Sequence, residues 1–280
     1  MTPIQFGITV FFHDYREFAL LRTVAREVPF LTHVEFRAEY PFLVAGSTPD
    51  EQIDFFRDVL RDVGLRSTFH STMFDINLAT LNPWMREAAV ACYRTSIDVA
   101  ERLGSEVIVV HGGSIEPEFT RERHEGRLLE MARTHLCQSL YELAEYGAPR
   151  GVRVAVENLP PDSAVNIIHD VGSHLDIVRR VDHPNLGAIY DMAHAFLYGQ
   201  DVLAYLDAIR PVLFEIHAHN NHGEADDHLG LHHGKMDYAA VLDHAGGIPD
   251  VPFIMELKSR EEIAGTFEWI GMHLSARAGS

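Results

Sequence analysis

The sequence predicts an α/β fold, a closed (β/α)8 TIM barrel, and three observations carry that prediction. Eight short β-rich runs alternate with longer amphipathic segments from one end of the chain to the other. The length of 280 residues is near that of one such barrel. No linker, low-complexity tract or charge block divides the chain, so a single domain over residues 1–280 is expected. A parallel connection needs a dozen or more residues, usually helical, so strict alternation implies parallel strands joined by right-handed crossovers. An open doubly wound sheet is the rival; it more often carries a glycine-rich phosphate turn after its first strand, and none follows Ile8.

In chain order the expected strands are IQFGITV (4–10), THVEFR (32–37), RSTFH (66–70), EVIVVHG (106–112), RVAVEN (153–158), LGAIYD (186–191), VLFEIHA (212–218) and PFIMELK (252–258). Each is short and rich in β-branched or aromatic residues. Among the helices between them, PDEQIDFFRDVLRDVG is opened by Ser47 to Asp50 and stopped at Gly64. PWMREAAVACYRTSIDVAERLG has Pro83 in its first turn, where the missing N–H costs nothing, and ends at Gly104.

Composition narrows the function. With 46% hydrophobic and 23% charged residues the chain lies far from the disordered class. No apolar run approaches the roughly 20 residues that span a bilayer. The opening MTPIQFGITVFF lacks a basic n-region and a small-residue cleavage site, so a cytoplasmic location without membrane association is expected. Formal charge is 23 − 41 = −18, and Lys235 and Lys258 are the two lysines, a balance that argues against a nucleic-acid partner. Cys92 and Cys137 fall on helical segments without a CxxC pattern and read as free thiols. Oligomeric state is left open, a homo-oligomer included.

Histidine is the unusual entry, with 18 residues, bunched with acids late in the chain. A TIM barrel builds its active site at the C-terminal ends of its strands. There the third strand ends in His70, the fourth in His111, the fifth in Glu157, and the sixth in Asp191 with His194 one helical turn on. The seventh ends in His217 and the eighth in Glu256, while the loop HAHNNHGEADDHLGLHHGKMDY adds Asp226 and His228 and is long enough to fold across the mouth. Any one of these, taken singly, reads more readily as a hydrogen-bonded rim residue. Five imidazoles and four carboxylates in one cavity do not, because burying unpaired like charges is costly. Divalent ions remove that cost, and the mixed ligand set suits zinc, manganese, iron or cobalt rather than calcium, at one to three ions.

The motifs STFHSTMFDINLAT, VIVVHGG, VENLP, DMAHAF, HAHNNHGEADDH with a later HHGKMDY, and MELK together resemble the strand-end motifs of the xylose isomerase-like TIM barrel superfamily. That superfamily holds sugar (phosphate) isomerases and epimerases and the endonuclease IV type of apurinic endonuclease, AP endonuclease family 2. The resemblance covers roughly residues 66 to 260 and implies the same barrel. In its isomerase and epimerase branch, the positions matching Glu157, Asp191, His217 and Glu256 hold one ion, with the two glutamates flanking the substrate. In its endonuclease branch, a trinuclear zinc cluster also uses those matching His70, His111, His194, Asp226 and His228. This sequence departs from the pattern after the seventh strand: Asn220 replaces the usual aspartate, and His232 and His233 precede Gly234 where a Gly-Glu-Gly type of turn is common.

Two reaction classes follow. The first is isomerisation or epimerisation of a small sugar, polyol or sugar phosphate through an enediolate, with Glu157 and Glu256 moving protons and His194, Arg37 and Lys258 touching substrate. The second is metal-dependent phosphodiester hydrolysis at abasic DNA. The complete set of nine ligands favours it; the scarcity of cations at the mouth, where Arg37, Lys235, Lys258 and Arg260 are the candidates, opposes it. A lyase or dehydratase on the same scaffold and a non-catalytic metal-binding barrel are further alternatives. Phe11, Phe12, Tyr40 and Phe42 are candidates for an apolar wall beside a sugar or for plain packing.

Overall fold

Eight parallel strands close on themselves in the computed structural model, which describes residues 4–10, 14–121, 126–246, 248 and 250–278. The barrel strands are β1 (Gln5–Thr9), β2 (Leu31–Arg37), β3 (Arg66–His70), β4 (Val107–His111), β6 (Arg153–Glu157), β8 (Leu186–Asp191), β9 (Leu213–Ala218) and β10 (Pro252–Met255). Each pairs with its sequence neighbours, and β1 pairs with β10 to close the ring. A two-stranded antiparallel ribbon, β5 (Ser114–Ile115) with β7 (Val165–Asn166), links the loops that follow β4 and β6, in addition to the eight strands expected from sequence. The eighth strand stops at Met255, so Glu256 stands one residue beyond it, still tied by its N–H to Ala218 O at 3.2 Å.

The helices form where local chemistry favours them. Helix α2 (Asp50–Val63) starts with Asp50 and Glu51, which complement its positive N-terminal end, and stops at Gly64 in the left-handed conformation, φ 69°. It buries Ile53, Phe56, Val59 and Leu60, a stripe at helical spacing. Helix α3 (Pro83–Leu103) is capped by the Asn82 side chain, which accepts from the N–H of Trp84 and Met85. Phe42 is core, its ring packed on Phe18 and Phe56, whereas Tyr40 is exposed; Phe11 and Phe12 lie outside the described residues. No described helix is long and apolar enough to cross a membrane.

The two-residue period of the strands decides what faces where. Ile108, Val110, Val154 and Val156 point outward into the layer shared with the helices, while Val107, Val109, Ala155 and Ile189 form a small apolar cluster of their own inside the barrel. The same alternation carries His111, Glu157, Asp191 and His217 to the inner face at the strands' C-terminal ends. Register then sets His111 beside Glu157, Arg37 beside His70 and Asp191 beside His217.

Candidate functional site

One basin at the barrel mouth collects the residues singled out by sequence. A cavity of about 290 Å³ is lined by Arg37, His70, His111, Glu157, His194, Asp226, His228, Glu256 and Lys258, with Met73, Phe74 and Pro160 on its rim. Asp191 and His217 lie just beneath its surface, both fully buried. Arg37 reaches Met73 Sδ at 4.0 Å, and Lys258 is exposed.

The imidazoles are aimed by main-chain carbonyls. Nδ1 of His70 lies 2.8 Å from Ser71 O, Nδ1 of His194 2.9 Å from Asn158 O, and Nδ1 of His228 2.9 Å from Glu256 O. A carbonyl only accepts, so Nδ1 donates in each ring and Nε2 is left to face the basin. Those Nε2 atoms meet carboxylates: His70 at 3.5 Å and His111 at 3.2 Å from Glu157 Oε2, and His194 at 3.5 Å and His228 at 3.0 Å from Asp226 Oδ2. His217 is turned the other way, because Glu35 sits 3.1 Å from its Nε2; its Nδ1 therefore points to Glu157 Oε1 at 3.4 Å and Glu256 Oε2 at 3.7 Å. Asp191 caps helix α6 (Met192–Leu197), accepting from His194 N–H at 2.8 Å with Oδ1 and facing His219 Nε2 at 3.0 Å with Oδ2.

Three buried residues at the site were not singled out by sequence. His219 lies between Asp191 and Asp226, its Nε2 3.6 Å from Asp226 Oδ1. Glu35 and Glu215, both fully buried, flank His217 from below at 3.1 and 3.5 Å. Thr9 Oγ1 donates to Glu35 at 2.8 Å, and Thr68 Oγ1 to Glu215 at 3.2 Å. Alternation was the available signal, since Glu215, His217 and His219 occupy every second position and so share one face.

The electrostatics are those of a basin with too many anions for its hydrogen bonds. Burial raises the Glu157 carboxyl, but the imidazoles of His111, His217 and His70 hold it well below the usual range. Asp226 and Glu256 are likewise held low by histidines against the pull of burial. Burial lowers His194, yet Asp191, Asp226 and Glu157 carry it up to about 10. Desolvation, joined by the Glu35 carboxylate, pushes Glu215 up to about 8. Even so, Glu157 Oε2, Asp226 Oδ1, His217 Nδ1 and His219 Nδ1 are buried without a hydrogen bond, a cost that calls for a missing partner.

Divalent ions fit this donor set. One ligand atom from each of His70, His111 and Glu157 lies within 4.8 Å of the others, and the same holds for Glu35, His217 and Glu256, for Asp191, His194 and His219, and for His219, Asp226 and His228. An Nδ1–H pinned to a carbonyl, with Nε2 presented to the centre, is the support that metal-binding histidines receive.

Comparison with known proteins agrees with the barrel fold. A family model described as the xylose isomerase-like TIM barrel matches residues 31–271. An uncharacterized protein of Methanocaldococcus jannaschii is 32% identical over 176 residues, 62% of this chain and 58% of that protein, so the chain spans under two thirds of that relative's length. A protein named probable endonuclease 4 of Haloarcula marismortui is 26% identical over 79% of this chain and 80% of its own length. Among solved structures, a D-tagatose 3-epimerase-like protein superposes with a TM-score of 0.80 at 22% identity, covering 98% of both chains.

Proposed function

The chain belongs to the xylose isomerase-like TIM barrel family, and from that premise we propose that it is a divalent-metal-dependent isomerase or epimerase of a small sugar, polyol or sugar phosphate. The observation that carries the reading is the pair of buried glutamates, Glu157 and Glu256, converging on His217 Nδ1 at 3.4 and 3.7 Å at the foot of a small cavity. Glu157, Asp191 and Glu256, with His217 or the adjacent His219, would hold the ion. When bound, it polarises the substrate carbonyl and offsets the negative charge of the enediolate. Glu157 takes the proton from the carbon next to the carbonyl, and Glu256, across the cavity, returns one. His194, fixed by Asn158 O, directs Nε2 at a substrate oxygen, while Arg37 and Lys258 at the rim suit an oxygen-rich or anionic substituent. The cavity of about 290 Å³ suits a small substrate.

A second reading, abasic-DNA hydrolysis, is favoured by one observation. The group of His194, His219, Asp226 and His228 continues the ligand set beyond what one ion needs. Against it stands the scarcity of cations around the mouth, where Arg37 and Lys258 line the cavity; a tight DNA binder makes about six to ten phosphate contacts.

The test is proton exchange. With candidate ketoses in heavy water, the wild-type enzyme is expected to wash out the proton beside the carbonyl, read by NMR. Glu157→Gln should slow that exchange about 10²–10⁴-fold while retaining some metal, since an amide oxygen coordinates but takes no proton. No exchange across a broad panel, together with metal-dependent nicking of an abasic duplex, would replace the first reading by the second.

A further inference from the structure

His232 and His233, which stand before Gly234 in the loop after β9, do not line the mouth cavity. They face helix α9 (Arg260–Ala278): His233 meets Glu262 in its first turn, and His232 Nδ1 lies 3.5 Å from Thr266 Oγ1. His233 Nδ1 lies 3.1 Å from each of the Glu262 oxygens, and Glu262 Oε2 also accepts from Gly230 N–H at 2.6 Å. The two rings lean on each other with centroids 3.8 Å apart. Space for this arrangement is kept by two glycines. A Cβ on Gly230 would come within 2.4 Å of Glu262 Oε2 and 2.8 Å of the His232 ring, and one on Gly265 within 2.8 Å of His232 Cε1 and Nε2. One ligand atom from each of His232, His233 and Glu262 lies within 4.8 Å of the others.

We propose that His232, His233 and Glu262 form a second divalent transition-metal site, separate from the mouth, that clamps the loop after β9 to helix α9. Two imidazoles and a carboxylate select zinc, nickel, cobalt or copper(II) over calcium and magnesium, which want an all-oxygen shell. For the ion to bind, His233 carries its ring hydrogen on Nε2, so the Nδ1 that now faces Glu262 at 3.1 Å presents a lone pair. Burial and the neighbouring His233 ring lower the pKa of His232. With bonds near 2.0–2.1 Å, tetrahedral ligands sit about 3.4 Å apart; His233 Nδ1 and Glu262 are already at 3.1 Å, and a pair at the 4.8 Å limit closes by 4.8 − 3.4, about 1.4 Å. His233, with 54% of its side chain exposed, has room for that, and water completes the shell. The same loop carries Asp226 and His228 into the mouth, so an ion here fixes the strap that supplies them.

Metal counting on the full chain tests this. Protein stripped of metal, reloaded with zinc and desalted is expected to hold one equivalent more as wild type than as His233→Ala, His232→Ala or Glu262→Ala, while Lys235→Ala in the same loop keeps the wild-type count. The Asp191→Ala protein, impaired at the mouth, should keep this equivalent, which separates failure here from failure of the mouth centre. As a second readout, zinc should raise the thermal midpoint of Asp191→Ala and raise it less once His233→Ala is added. Equal counts in wild type and all three variants, or equal zinc shifts with and without His233, would overturn the proposal.

Discussion

The two ends of this barrel are both charged, and they are built on opposite terms. At the floor, where the strands begin, Arg66 binds Glu106 with Nε–Oε1 at 2.7 Å and reaches Gln5 Oε1 at 3.2 Å. His33 beside them is buried, and burial together with Arg66 lowers its pKa to about 4. At the mouth, His194 is equally buried, yet carboxylates raise it to about 10. Burial opposes the charged form of both rings, so the sign of the neighbour decides. Floor charges satisfy one another; the mouth sets Glu157, Asp191, Asp226 and Glu256 against imidazoles that need a proton or a cation to answer them. In barrels of this kind the first end serves stability and the second chemistry.

The sharpest way to break that contrast is to remove divalent ions. An ion bound at about 1,000 times its dissociation constant stabilises by about 4 kcal/mol, which at roughly 2–4 °C per kcal/mol is about 10 °C of thermal midpoint. Exhaustive chelation is therefore expected to lower the wild-type midpoint by about that amount, and zinc or manganese to restore it. Asp191→Ala, which removes the group between His194 and His219, should show a much smaller shift and lose most metal-dependent activity. A wild-type midpoint indifferent to chelation and to added metal would leave the mouth no different from the floor.

His33 gives the next effect, in acid. Its folded pKa, about 4, lies below the ordinary 6.5, so the neutral ring's contribution is complete above about pH 6.5 and is lost as pH falls towards 4. The difference, 6.5 − 4 or about 2.5 units, sets a ceiling of about 3 kcal/mol. Denaturant midpoints at pH 7 and pH 4.5 are expected to differ less in His33→Gln than in wild type. An unchanged slope would mean that the floor does not exclude the charged ring.

The fold was legible because its signals are local. Strands over 66–70 and 186–191 fall where β-rich runs and flanking breakers place them, and Gly64 and Gly104 end their helices as read. The mouth residues were legible because strand ends in a barrel converge whatever the details of packing. Which groups pair across the barrel was not legible. Glu35 and His217 are 182 residues apart, and nothing in THVEFR alone shows that its glutamate turns a histidine on the far side. His219 lies one residue past the end of β9, outside the run that reads as a strand, although the period that carries His217 inward carries it too.

The smallest effect belongs to the floor's own ion pair. Arg66 and Glu106 are half-exposed, 52% and 42% of their side chains, so their attraction is screened by water and salt, and such pairs contribute about 0.2–1 kcal/mol. Glu106→Gln is expected to cost under about 1 kcal/mol in low salt and less at high ionic strength, with metal count and activity unchanged. It should also push the His33 pKa lower, because Glu106 opposes Arg66 at that ring; NMR titration of the imidazole reads this directly. A loss of several kcal/mol, or of bound metal, would mean that the two ends are coupled through the barrel interior, and the division between a closed floor and an open mouth would fail.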